Sequence, residues 1–423
     1  MNSINRQVKH AGMAAIALTM LAAVVIFAAF AIPAQAQTET LLYQFTNTPD
    51  GSMPTAGPIL KGTTLYGTAA NGGEANGYAY GIVYAISTTT GKETILHTFA
   101  YAPDQNGDGS KPLGGLASDA HGNLYGTTLY GGAICNCGTV YKLTKSKKSY
   151  VETVLHSFSL GDDGGYPYYV TPVLDKLGNL YGTTYGGGGY QKQGTVFKLA
   201  PDGTLTTLHS FDYYSGDGYA PYSGVTLDTK GNLYGTTPTG GTYGNGVLYE
   251  ITAAGAYSIL YNFTGGADGW TPQSPPVYKG GSLYGTTQSG GAGCTWGCGV
   301  IYKYTLAKGK KAGKETVLYT FSGVPDGQYP LYGALVFDKS GNLYGTTQNG
   351  GENPGGATNV GTVYKLAANG TMTILYSFDD VPDGSAPFGG VALDPKGNVY
   401  TTAGYGGNTA GEYGGGTVIK ITP

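Results

Sequence analysis

Gly122-Asn123-Leu124-Tyr125-Gly126-Thr127-Thr128 recurs in variant form along the whole chain, its tyrosine returning as Tyr66, Tyr125, Tyr181, Tyr234, Tyr284, Tyr344 and Tyr400. Seven copies at intervals of 50 to 60 residues are the signature of a solenoid, propeller or array. Around each copy the other segments keep one order. Leu155-His156-Ser157-Phe158 leads through an Asp-Gly and a Pro to the quoted stretch, then a Gly-Gly loop, then Gly-Thr-Val-Tyr-Lys-Leu. Short β-branched and aromatic runs between turn residues read as strands, and no segment beyond the N-terminal leader has helical periodicity. Each repeat is therefore expected to be a four-stranded antiparallel unit. In the second repeat the strands are placed near Leu113 to Asp119, Asn123 to Thr128, Thr139 to Thr144 and Glu152 to Phe158.

The ends of the chain select the architecture. A lone outer-type segment, Leu41-Leu42-Tyr43-Gln44-Phe45, opens the repeat region, and a lone third-type segment, Gly416-Thr417-Val418-Ile419-Lys420, closes it. Each end lacks what the other supplies. The expected fold is all-β: a seven-bladed β-propeller of four-stranded antiparallel blades, its ring closed when the N-terminal strand, about 40–45, joins the last blade. An open solenoid would need capping units, and none is visible.

Residues 1–36 read as a signal peptide: Arg6 and Lys9, an apolar run from Ala11 to Ile32, and the small-x-small site Ala34-Gln35-Ala36. A retained membrane anchor is the rival reading of that run. Residues 37–423 form the single propeller domain, expected to be secreted, periplasmic or on the cell surface as a monomer without a stable membrane span after cleavage. Arg6 is the only arginine, and the formal charge of the chain is −3. Bidentate guanidinium recognition of phosphate is absent from the domain, which argues against a nucleic-acid partner.

The order Gly-Leu-x-x-Asp-x-x-Gly-Asn-Leu-Tyr resembles the first two strands of NHL-type blades, whose Gly-led segment is innermost. The full repeat, from Leu-His-Ser-Phe through Asp-Gly-x-x-Pro and Gly-Asn-Leu-Tyr-Gly-Thr-Thr to Gly-Thr-Val-Tyr-Lys-Leu, resembles the GloVer tandem repeat of exported bacterial proteins. The resemblance implies an exported propeller and brings no assigned activity or catalytic residue.

Antiparallel connectivity sends the connections before the first and after the second strand to one face, which receives the long loops around 100–111, 212–222, 349–360 and 404–415. Rigid scaffolds carry binding residues on such loops. Fifteen acids and two bases lie there, while the opposite turns hold 14 lysines. That segregation would draw cations or basic partners, or serve solubility alone. Asp50, Asp108, Asp163, Asp217, Asp268, Asp326 and Asp383 repeat as Asp-Gly, either as a turn device or as a carboxylate ring for calcium. The best local calcium match is Asp104, Asn106 and Asp108 with Gly109 at position six, although position twelve is Gly115 and no helices flank it. Calcium is the one cofactor suggested.

All four cysteines fall in loops of the same face. Cys294 and Cys298 can close a local disulfide, and Cys135 with Cys137 would need a tighter ring. Trp296, near Trp270, together with Tyr168, Tyr169, Tyr213, Tyr214, Tyr219 and Tyr222, offers aromatic area for stacking on sugars or peptide, with packing against the next loop as the plainer role. His97, His156 and His209 share a position held by Tyr43, Tyr261, Tyr319 and Tyr376 elsewhere, and read as interchangeable packing residues. No catalytic triad, phosphate loop or metal-spaced histidine pair stands out. The expected function is a non-catalytic binding or scaffold protein using the acidic, aromatic loop face for a polysaccharide, a cation or a cell-surface partner. The alternative is a secreted propeller enzyme, a lyase or hydrolase, with a site at the central channel.

Overall fold

Each repeat builds one four-stranded antiparallel sheet, and seven such sheets make the ring of a β-propeller. The computed structural model describes residues 38–73, 80–100, 107–147, 149–189, 191–295, 297–309, 311–352, 360–407 and 414–422. Numbered along the chain, blade 2 has strands Ala117–Ser118, Leu124–Thr128, Thr139–Ser146 and Ser149–Ser157, from the axis outward. The innermost strand is far shorter than the expected Leu113 to Asp119. Leu113 to Leu116 instead belong to a linker that crosses from the rim to the axis. Blade 7 takes its outermost strand from Thr38–Gln44, which pairs antiparallel with Thr417–Thr422. The ring closes through main-chain hydrogen bonds as the ends of the chain implied.

The quoted heptapeptide has a function at each position. Asp175, ahead of the third copy, accepts hydrogen bonds from the Leu177 and Asn179 amides (2.8 and 2.9 Å), the Asn179 side chain (2.7 Å) and the Tyr181 hydroxyl (3.1 Å). Burial alone would raise its pKa, but these donors outweigh burial and hold the carboxyl below its ordinary value. The leucine and tyrosine then alternate between the two faces of the strand. The glycine leaves room for a ring. A β-carbon on Gly126 would overlap the Tyr141 hydroxyl, and Gly67, Gly235, Gly285 and Gly345 stand in the same relation to Tyr84, Tyr249, Tyr302 and Tyr364. Those five tyrosines are fully buried, and their hydroxyls have no hydrogen-bond partner among the described residues. Blade 7 solves the packing differently: Thr401 replaces the glycine and lies opposite Ile419, where the ring would be.

The next threonine ties blades together. Its hydroxyl donates to a carbonyl of the following blade's linker at Thr68–Gly114, Thr127–Val170, Thr183–Ser223, Thr236–Ser274, Thr346–Gly389 and Thr402–Ala56 (2.6–3.1 Å). The phenylalanine that ends each outer strand supplies the apolar contact. Phe45, Phe99, Phe158, Phe211, Phe263 and Phe321 meet the ring in the third strand of the next blade at centroid distances of 5.1–5.3 Å. Such pairs add about 0.5–1.5 kcal/mol beyond the area they bury. The closing seam is built from the same parts, with Phe45, Tyr84, Tyr400 and Val418 in one core cluster.

Near the rim, six of the seven Asp-Gly aspartates are held by the shared Tyr/His position of the preceding outer strand. Tyr43 donates to Asp50 (2.7 Å), Tyr261 to Asp268 (2.9 Å), Tyr319 to Asp326 (2.5 Å) and Tyr376 to Asp383. His156 and His209 bond Asp163 and Asp217 at 3.0 and 2.7 Å, while His97 lies 3.6 Å from Asp108. His156 and His209 are therefore polar partners of a carboxylate, not plain packing residues, whereas His97 Nε2 has no hydrogen-bond partner among the described residues. Five of these aspartates are buried: Asp50, Asp217, Asp268, Asp326 and Asp383.

Two predictions test this account of the seams. Tyr141→Phe should leave stability unchanged or improved, because no partner is lost, whereas Gly126→Ala should cost about 1–3 kcal/mol by overpacking. Urea denaturation checks both, and a destabilised Tyr141→Phe would show that the hydroxyl is satisfied. His156→Tyr should stay within about 0.5 kcal/mol of the native chain and His156→Phe should lose about 1 kcal/mol, because Asp163 loses its imidazole partner and keeps only the donors of Ser159. Equal stability of the two variants would contradict the hydrogen-bonding role.

Candidate functional site

The linker from rim to axis decides which side chains reach the channel mouth. In all seven linkers the residue before the proline is left-handed, with φ of 52–61° at Met53, Lys111, Tyr166, Ala220, Thr271, Tyr329 and Ala386. A residue before proline is already barred from the right-handed helical region. Both of its backbone groups are then fixed: the Tyr166 amide donates to the Cys137 carbonyl of blade 2 (2.7 Å), and the Tyr185 amide donates to the Tyr166 carbonyl (3.0 Å). The proline ring rests on the glycine that precedes a third strand, as Pro167 does on Gly138, where any β-carbon would strike it. The following residues are delivered to the axis. In blades 3, 4, 6 and 7 they are Tyr168 and Tyr169, Tyr222, Tyr332, and Phe388.

These rings meet. Tyr168, Tyr185 and Tyr222 form a triangle with centroid distances of 5.1–6.0 Å. Tyr169 of blade 3 stacks on Tyr332 of blade 6 at 3.5 Å and 11°, bridging blades that are not neighbours. Phe388 and Tyr405 extend the aromatic surface toward blade 7. Tyr185 is exposed, and Tyr168 and Tyr222 are half-buried, so their ring surface is open to a ligand. Burial, followed by the neighbouring phenols Tyr185 and Tyr168, pushes Tyr222 up to about 12. Tyr168 and Tyr169 move the same way, first through burial and then through neighbouring tyrosines. Tyr168, Tyr169 and Tyr222 are thus held in the uncharged form, and the groups acting on them are other phenols.

Below the Tyr169–Tyr332 pair lies a cavity of about 250 Å³, lined by inner segments of the blades, among them Gly57, Pro58, Gly115, Thr171, Thr226 and Val336. Backbone, hydroxyl and apolar groups make up its wall. Among the described residues its titratable side chains are the two tyrosines, and neither forms an acid–base pair with a carboxylate or imidazole.

The described residues singled out from the sequence are spread over more than one place. Tyr168, Tyr169 and Tyr222 join the platform. Tyr213 and Tyr214 are exposed on the loop before blade 4, edge to face at 5.0 Å, near the Lys192–Asp212 ion pair. Trp270 is 38% exposed and borders a separate depression with Gly265, Gly290, Cys294 and Thr295. Trp296 lies outside the described residues, as do Asp104 and Asn106 of the calcium candidate. Asp108 accepts hydrogen bonds from the Ala100 and Gly109 amides and faces His97. Among the described residues no group of three His, Cys, Asp or Glu side chains is placed to hold a metal. The structure pairs Cys135 with Cys137 and Cys294 with Cys298, at Cα separations of 5.2 and 5.6 Å. Tyr332, Tyr185, Phe388 and Tyr405 were missed in the sequence. For Tyr332 and Phe388 the available signal was their place one or two residues after the linker proline.

No curated protein matches the chain. Among solved structures, the GH74 enzyme of Niastella koreensis aligns at TM-score 0.53 and 18% identity over 91% of this chain and 53% of that one. A gluconolactonase from Xanthomonas campestris aligns at TM-score 0.43 and 12% identity, covering 91% and 89%. A putative 6-phosphogluconolactonase from Bacteroides uniformis aligns at 0.46 and 14%, covering 81% and 96%. At these identities the likeness concerns the fold alone. The family model described as the Gloeobacter/Verrucomicrobia repeat matches residues 28–237, 169–356 and 227–423, so the chain belongs to the Gloeobacter/Verrucomicrobia repeat family.

Proposed function

We propose that this chain is an exported, non-catalytic binding protein for neutral polysaccharide, which it holds on the tyrosine platform at the channel mouth. The observation that carries this reading is the Tyr168–Tyr185–Tyr222 triangle. It presents open ring faces on a rigid frame, with hydroxyls that can donate to sugar oxygens, and without a coupled charge. Pyranose rings stack on such faces through their C–H groups, and an uncharged platform favours an uncharged chain over a uronate or a sulfated glycan. Export is supported by the leader-like N-terminus and by cysteines at disulfide distance in the loops. The channel wall offers hydroxyl and backbone groups below the platform, a composition suited to binding more than to proton transfer.

Three stacked rings at about 0.5–1.5 kcal/mol each support only weak monovalent binding, on the order of millimolar to tens of micromolar once hydroxyl hydrogen bonds are added. Affinity electrophoresis against neutral and anionic polysaccharides should show retardation by neutral ones that is unchanged up to roughly 0.5 M salt, where exposed charges are screened. Tyr168→Ala with Tyr222→Ala should weaken it at least about tenfold, with the melting temperature little changed. Full binding by that variant would reject the platform. Loss on Trp270→Ala or Tyr214→Ala alone would place the site on the rim.

A further inference from the structure

Four outer strands carry a glutamate four residues before the Tyr/His position: Glu39, Glu93, Glu152 and Glu315. One carboxyl oxygen of each is buried without a hydrogen-bond partner among the described residues. Two of the four meet at the strand that closes the ring: Glu39 lies within it and Glu93 on the outer strand of the next blade. On one side the Tyr43 hydroxyl, from the closing strand itself, lies 2.7 Å from Asp50 and 3.1 Å from Glu93, so one phenol faces two carboxyl groups. On the other side Glu39 and Asp383 line a single groove between blades 6 and 7, together with Glu352 and Asp379.

We propose that the strand Thr38–Gln44 is a proton-dependent latch: a proton kept on Glu93, beside Asp50, and on Glu39, beside Asp383, lets the strand close the ring, and loss of those protons loosens it. The groups facing Glu93 are Asp50, Tyr43 and, from its own blade, Tyr84. Those facing Glu39 are Asp383 and Tyr376, with Asp379 beyond. No lysine or histidine is among these facing groups. Burial, opposed by the Tyr43 hydrogen bond and reinforced by Asp50, pushes Glu93 up to about 7, and burial followed by Asp383 raises Glu39. A carboxyl raised in the folded state stabilises it fully below the unfolded value near 4.5 and loses that contribution as pH climbs through the folded value. For Glu93 the window runs from about 4.5 to about 7. Glu152, facing Asp108 and His97, and Glu315, facing Asp268, lie at other seams and serve as internal controls for the place of the carboxyl in the ring.

Hydrogen exchange of the full-length chain, read by mass spectrometry and corrected for intrinsic rates, tests the latch. Protection of the peptide spanning 38–45 should fall on the order of tenfold between pH 5.5 and pH 8.5, a figure discounted for the partial solvent exposure of the glutamates. In Glu39→Gln with Glu93→Gln, or in Glu93→Gln alone should the pair not fold, the fall should shrink to about twofold or less. Glu152→Gln with Glu315→Gln should retain it. A flat profile in the native chain, an undiminished fall in the Glu93 variants, or abolition of the fall by the control pair overturns the latch. Full recovery at pH 8.5 on adding 1 mM calcium chloride would also overturn it, by making each pair a cation site.

Discussion

The ring depends on an interlock of three residues from two blades. A phenylalanine ending one outer strand presses its edge on a tyrosine in the third strand of the next blade, and that ring lies across a glycine in the second strand, as in Phe99, Tyr141 and Gly126. The glycine is required because the tyrosine occupies the space of a side chain, and the tyrosine is placed by the glycine's absence of one. Neither half of the interlock is stable within one blade: the aromatic face must be covered by its neighbour, so blades are stable only as a closed set. Blade 7 shows that volume, and not identity, is the constraint. It fills the same space with Thr401 and Ile419, and blade 3 uses Phe197 where a hydroxyl is dispensable.

Because this packing consumes the faces of every blade, little remains for function except the segments that cross the top. The crossing is itself standardised by the left-handed residue before proline, which pins neighbouring blades through its amide and carbonyl. The positions just after that proline are spared from the packing code, and there the repeats stop agreeing. Thr55, Leu113, Tyr168, Tyr222, Gln273, Leu331 and Phe388 occupy one equivalent position. A symmetric frame thus presents an asymmetric mouth, aromatic on one side, which is the asymmetry that recognition of a single ligand needs.

Electrostatics follows the same division. The Asp-Gly aspartates suggest an acidic face when counted along the chain, yet their side chains turn into the seams and bond the Tyr/His position and nearby backbone amides. The field above that face comes mainly from other acids, such as the exposed Asp162, Glu352 and Asp380. Carboxyl groups used as seam fasteners cost little where a phenol or imidazole donates to them. Where a second carboxyl adjoins, as at Asp50 and Glu93, burial and like charge combine, and the seam becomes sensitive to protons.

The sequence by itself determined the all-β class, the seven four-stranded blades and the closure by the N-terminal strand. Each rests on local information: strand and turn chemistry within 50 to 60 residues, repeated, and two incomplete ends that complement one another. It also identified Tyr222 and the two cysteine pairs by residue type. What only the tertiary structure decided was which distant side chains meet. Tyr169 and Tyr332 are separated by half the ring and touch at its axis, and nothing in their own repeats marks them as partners. The roles of His156 and Asp163 were likewise hidden, since a seven-residue separation at the rim reads as packing until the linker's path is known. Repetition makes a fold legible because every copy reports the same constraint, and it conceals the site because a site is made where copies differ and converge through space.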